Sequence, residues 1–167
     1  MKTWIRIGLP LVLALIAGHA TAADFKIGVV DTERILRDSA PAVKASKKIE
    51  KEFSGRDQEI KKLADQVKSA QAALDKDGAT MPETDRRAKE RELDTLTGKL
   101  QQMQREFRED LNLRKNEELV TVLGLANKAI QQIAEADKYD LILQEAVYRN
   151  PRIDITDKVI QYLENEK

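Results

Sequence analysis

Between Pro41 and Lys76 the apolar positions fall into one repeating stripe. Ile49, Phe53, Ile60, Leu63, Val67, Ala70 and Leu74 follow at spacings of 4, 7, 3, 4, 3 and 4, with Arg56 at the seam position that the seven skips. Alternating threes and fours keep one face of a helix turned toward a partner helix, as in a coiled coil. Ser39-Ala40-Pro41 supplies the start: Ser39 suits a cap, and Pro41 is tolerated in a first turn. Asp77-Gly78-Ala79-Thr80-Met81-Pro82 ends that helix and begins another, with Gly78 suited to a left-handed exit and Pro82 to the next first turn. The second helix, Glu83 to Ala136, carries its stripe at Leu93, Leu96, Leu100, Met103 and Phe107. It shifts register at Leu111, a four-residue step that reads as a stutter, and resumes through Leu119, Leu123, Ala126, Ile130 and Ile133. At about 1.5 Å per residue the two helices span roughly 50 and 80 Å, and so short a turn makes them antiparallel neighbours. The pattern predicts a helical hairpin over residues 42–136 with its turn near 77–82.

A two-helix hairpin buries only one stripe on each helix and needs more core at its base. The flanks, residues 23–41 and 137–167, supply it. Phe25, Ile27 and Val29 alternate with Lys26 and Gly28 in a short strand that runs to Asp31. Asp140 to Gln144 reads as a second strand and Ala146-Val147-Tyr148 as a third, ended by Asn150-Pro151. Asp154 or Thr156 is placed to cap a last helix whose apolar face is Ile155, Val159, Ile160 and Leu163. The predicted fold is mostly α, with a long coiled-coil-like hairpin projecting from a small α/β body. Phe25, Ile27, Val29, Leu141, Leu143, Val147 and Val159 are the expected core of that body and of its assembly, because so few strands leave sheet edges open.

The first residues change what counts as the working chain. Lys2 and Arg6 precede an apolar run from Ile7 to Ala17, and Ala20 and Ala22 stand where an A-x-A cleavage site requires small residues. This is the layout of a secretory signal peptide over residues 1–22, cut after Ala22. The run is shorter than the roughly 18–20 residues that span a bilayer. The chain has no cysteine, which excludes a lipoprotein anchor and disulfides, so the expected product is soluble outside the cytoplasm.

Removal of those 22 residues takes away the only histidine, His19, and the only tryptophan, Trp4. What remains has no Ser-His or Cys-His nucleophile pair and no thiolate or imidazole metal ligand. Ser46 and Lys47 are adjacent on a helix and do not face one another. Gly98-Lys99 is not part of a phosphate loop, since Leu93 stands where the first glycine belongs. No enzyme, cofactor or metal site is expected. With 27 basic and 29 acidic residues, the exported chain also lacks the basic surface of a nucleic-acid binder.

The order of parts resembles the Skp (OmpH-like) family of periplasmic chaperones for outer-membrane proteins. The likeness lies in Lys26-Ile27-Gly28-Val29-Val30-Asp31, Glu52-Phe53-Ser54-Gly55-Arg56, Asn116-Glu117-Glu118, Asp140-Leu141-Ile142-Leu143, and Asp154-Ile155-Thr156 with Val159. It covers nearly all of residues 24–167. What it implies is a homotrimer whose three hairpins hang around a cavity and hold unfolded outer-membrane proteins without ATP. Familiar members are strongly basic, whereas here the hairpin holds 19 basic and 18 acidic residues and the flanks 8 and 11. That balance weakens the case for electrostatic capture of lipopolysaccharide or a membrane surface. The candidate charged contact is near the hairpin tip, at Arg86, Arg87, Lys89 and Arg91, among Glu83, Asp85, Glu90, Glu92 and Asp94. Gly55, Gly98 and Gly124 lie inside helices, as points of arm flexibility or of close packing. A structural spacer or an adaptor of the cell envelope is the alternative use of such a hairpin.

Overall fold

A computed structural model describes residues 25–165; the predicted signal peptide and its cleavage site after Ala22 lie outside them. In chain order the elements are β1 (Ile27–Val30), α1 (Thr32–Asp38), α2 (Ala40–Asp77), α3 (Glu83–Asp137), β2 (Leu141–Gln144) and α4 (Thr156–Asn165). α2 and α3 form the hairpin within a residue or two of the predicted bounds. α3 is longer by 55 residues to 38, and its extra length runs down into the body.

β1 and β2 are parallel, with Ile27 opposite Leu141 and Val29 opposite Leu143. A parallel pair needs a crossover, and here the whole hairpin is that crossover. The other edge of β1 is covered by the segment before α4: Val29 N–H donates to the Ile153 carbonyl at 2.8 Å and Ile155 N–H to the Val29 carbonyl at 2.9 Å. Gly28 between them is buried, and a Cβ there would lie 3.2 Å from Ile155 Cδ1 and 3.3 Å from Tyr139 Cε1. The core gathers Val30, Ile35 of α1, Ala126, Ala129 and Ile133 of α3, and Ile155, Val159 and Leu163 around α4. Apolar faces of α1, α3 and α4 thus close over β1.

Several local expectations differ. α1 has no counterpart in the sequence pattern; Asp31 caps it, Oδ1 accepting from the Arg34 N–H at 2.9 Å. Ser39 is an extended residue (φ −69, ψ 150) between α1 and α2, as a cap should be, yet its side chain caps nothing. Pro41 removes the donor at the second helical position, which is one of the two that such a hydroxyl serves. Gly78 leaves α2 at φ −61, right-handed rather than left-handed, and its value is space: a Cβ would collide with the Leu74 carbonyl. The left-handed exit belongs instead to Lys138, at φ 58, after α3. Residues 146–148 form no strand. Glu145 turns left-handed (φ 61) at the end of β2, and among the described residues 146–148 pair with no strand.

Candidate functional site

The arm is built around a seam that is apolar toward the tip and at the root, with a charged layer between. Phe53 and Phe107 meet edge to face at 5.5 Å and 83°. Arg56, at the gap in the α2 stripe, lies 5.8 and 5.9 Å from the two ring centres and pairs with Asp110 at 2.7 Å. Its stem and guanidinium plane therefore fill a seam position that an apolar residue would otherwise take. One step toward the body, Arg114 reaches Glu52, Glu117 and Glu118, and Glu118 also accepts from Lys48. The side chains of Arg114 and Glu118 are only 21% and 14% exposed. The hydrogen bond from Lys48 holds the Glu118 carboxyl below its ordinary range, and Glu52 holds Arg114 protonated above its own.

This layer moves the seam. Arg114 and Glu118 occupy the α2-facing positions, so the line continues through buried Val122, Ala126, Ala129 and Ile133. The expected seam residue Leu119 is exposed instead, and Leu123 and Ile130 are half-buried. Leu119 joins Leu36, Ala42, Ala45, Ile49 and Val122 around an open apolar groove of about 380 Å³ at the arm's root, where Ala42 and Ala45 are too small to fill the space. Leu113 and Val120, one heptad apart, stand 61% and 69% exposed. Pattern reading missed both, since their spacing coincides with that of a seam while their side chains face solvent.

The tip cations are largely spent on neighbours. Arg86 pairs with Glu83 and Glu90, Arg87 with Glu83, and Lys89 lies 3.6 Å from Glu92. Those hydrogen bonds lower the Glu83 pKa and raise that of Arg86. Among the described residues, Arg91 alone of the four has no ion pair shown. Gly55, Gly98 and Gly124 have no atom within 4 Å of a Cβ built on them, so close packing does not account for any of the three.

The expected body core divides into two groups. Val29 and Val159 are buried and Ile27 is half-buried. Phe25 (62%), Leu141, Leu143 and Val147 are exposed on the single chain, together with Tyr148. Leu141 and Leu143 lie on β2, which among the described residues pairs only with β1. Among the described residues no group of three or more His, Cys, Asp or Glu could hold a metal, and no helix is long and apolar enough to cross a membrane.

The fold is that of a mostly helical arm-and-body protein, a long hairpin set on a small α/β base. Residues 26–163 match the family model described as outer membrane protein (OmpH-like), and the chain belongs to that family. The family is non-enzymatic. The chain is 29% identical to the Skp chaperone of Yersinia enterocolitica over 167 residues, covering 96% of this chain and 98% of that one. It is 29% identical to the Skp chaperone of Pectobacterium atrosepticum over 164 residues, with the same coverage. The crystal structure of an OmpH-like protein from Caulobacter crescentus superposes with a TM-score of 0.70, over 84% of this chain and 85% of that one. At 18% identity that likeness is one of fold.

Proposed function

We propose that the protein is an ATP-independent holdase of the periplasm that binds unfolded outer-membrane β-barrel proteins between three helical arms and keeps them from aggregating. The observation that carries this reading is a long arm with apolar side chains left in water near its root: Leu113, Leu119 and Val120 on α3, beside an open groove. Such contacts are individually weak, and repetition on several arms raises holding strength without any new contact. Members of the same family from other bacteria bear the name of chaperones, which agrees with it. The exposed face of Phe25, Leu141, Leu143, Val147 and Tyr148 is the proposed seat of the homotrimer. Residues 1–22 act as an export signal in this reading. Lipopolysaccharide binding at the tip is left with one unpaired cation, Arg91, and is expected to be weak.

The test is dilution of a urea-unfolded outer-membrane barrel protein, without ATP, into buffer with and without this protein. Soluble barrel protein that co-elutes with three copies supports the reading. Precipitation despite a folded, trimeric partner sinks it and favours a structural or adaptor role in the envelope.

A further inference from the structure

Three ion pairs cross the hairpin from α2 to α3: Lys48–Glu118 at 2.9 Å, Glu52–Arg114 at 3.1 Å and Arg56–Asp110 at 2.7 Å. Each step of four residues up α2 is matched by a step of four back along α3. The pairs are therefore rungs of one ladder, about a helical turn apart, in a single register. Their signs alternate. α2 presents plus, minus, plus, and α3 answers minus, plus, minus.

The apolar stripes do not single out this register, because positions recurring at threes and fours meet again after a slip of one turn or one heptad. The turn at the tip lies roughly 30 Å beyond Arg56. At the root, Ala42 and Ala45 leave an open groove beside Val122, so packing there specifies little. The charges do specify it. A slip of one turn one way sets Lys48 against Arg114 and Glu52 against Asp110. The same slip the other way sets Glu52 against Glu118 and Arg56 against Arg114. A slip of one heptad sets Lys48 and Glu52 against Leu111 and Phe107, or Lys48 and Asp110 against Leu125 and Leu63. Like charges brought together, or charges stripped of partners, cost most where water is scarce, and Arg114 and Glu118 are the least exposed of the six. Exposed ion pairs add little stability by themselves, but an alternating pattern penalises every wrong pairing.

We infer that the ladder of Lys48, Glu52 and Arg56 against Glu118, Arg114 and Asp110 is a register lock for the arm. Its consequence reaches the body. β1 lies before α2 and β2 directly after α3, so a slip of one turn would put the two ends of the hairpin about 6 Å out of step, close to two residues of strand. The pairing of Ile27 with Leu141 thus depends on side chains out in the arm. The lock acts within one chain and does not depend on what the arm binds.

The experiment is disulfide cross-linking in the exported protein, which has no cysteine of its own. Gln66 and Lys99 line one hollow across the hairpin, and Gln66→Cys with Lys99→Cys reports the native register. The intramolecular product is measured by mass after mild oxidation, with thermal unfolding followed in parallel. Three charge swaps are compared in that background: Lys48→Glu with Glu52→Lys, Arg114→Glu with Glu118→Lys, and all four together. All of them leave Arg56, Asp110 and the two phenylalanines in place. The expected result is a yield lowered by about threefold or more in each one-helix swap and restored to about half of wild type or better in the fourfold swap. If a one-helix swap does not fold, recovery of both fold and cross-link in the fourfold swap reads the same way. Wild-type yield in the one-helix swaps overturns the lock, and so does a fourfold swap no better than either. Lower thermal stability with unchanged cross-linking would reduce the ladder to ordinary stabilisation and also overturn the inference.

Discussion

Replacing Ser39 by alanine should stabilise this protein, against the usual rule for the residue before a helix. Exchange of a capping serine for alanine ordinarily costs about 0.5–2 kcal/mol, because a helical N–H loses its partner. Ser39 makes no such bond: its side chain caps nothing, and proline at 41 removes one of the two donors within reach. Its Oγ is instead fully buried with no hydrogen-bond partner. A hydroxyl in that state carries a desolvation cost of about 1–3 kcal/mol, which alanine removes. Against it stands the lost packing of one oxygen, smaller than the roughly 0.8 kcal/mol of a buried methylene. The net expectation is a gain of about 1 kcal/mol. In urea, with a slope of about 2 kcal/mol per molar, the midpoint should rise by about 0.5 M. Both proteins must be compared at one protomer concentration, since an assembling chain gains stability from its partners. A midpoint that falls by 0.5 M or more would show that the hydroxyl is bonded in solution and would refute the reasoning.

Three further outcomes can be checked. Phe53→Leu, Phe107→Leu and the double variant should reveal a coupling of about 0.5–1.5 kcal/mol by chemical unfolding, the range for edge-to-face rings. Gly55→Ala, Gly98→Ala and Gly124→Ala should each stabilise by about 0.5–1 kcal/mol, since a Cβ meets nothing. If those glycines also supply flexibility, the triple variant will show slower hydrogen exchange along the arms and hold a narrower size range of clients; unchanged exchange would count against it. The Glu118 pKa is lowered in the fold, so its contribution is complete above the ordinary glutamate value of 4.5 and is lost as pH falls through the lowered one. Acid titration of stability should therefore show a component below pH 4.5 that Glu118→Gln removes, and an identical profile in that variant would contradict the assignment.

The hairpin was legible because its information is local. A stripe at threes and fours, a proline-free run and a Gly-Pro turn placed α2 and α3 within a residue or two. Legibility fails where the charged pair Arg114 and Glu118 takes seam positions that an apolar stripe does not mark, so that Leu119, expected in the seam, is exposed at the rim of the groove instead. Short α1 left no stripe to read, having one buried residue, Ile35. Ala146-Val147-Tyr148 has the composition of a strand and no partner in its own chain, and composition does not carry the identity of a partner. The tip cations were found by type and position, but their pairing with Glu83 and Glu90 depends on rotamers that a spacing does not specify.

Because β1 and β2 pair side by side with the entire hairpin between them, the arm is topologically an insertion whose two ends return to one anchorage. Its length is thereby uncoupled from the body. Adding or removing one heptad on each helix changes the reach by about 10 Å while leaving the seam in phase and the sheet untouched. A lineage can in this way lengthen or shorten the arm by matched duplications alone, with the body carried along unchanged. The same layout sets an order on synthesis: β1 emerges first and waits for β2 until the whole arm has been made, so the body is the last part able to close.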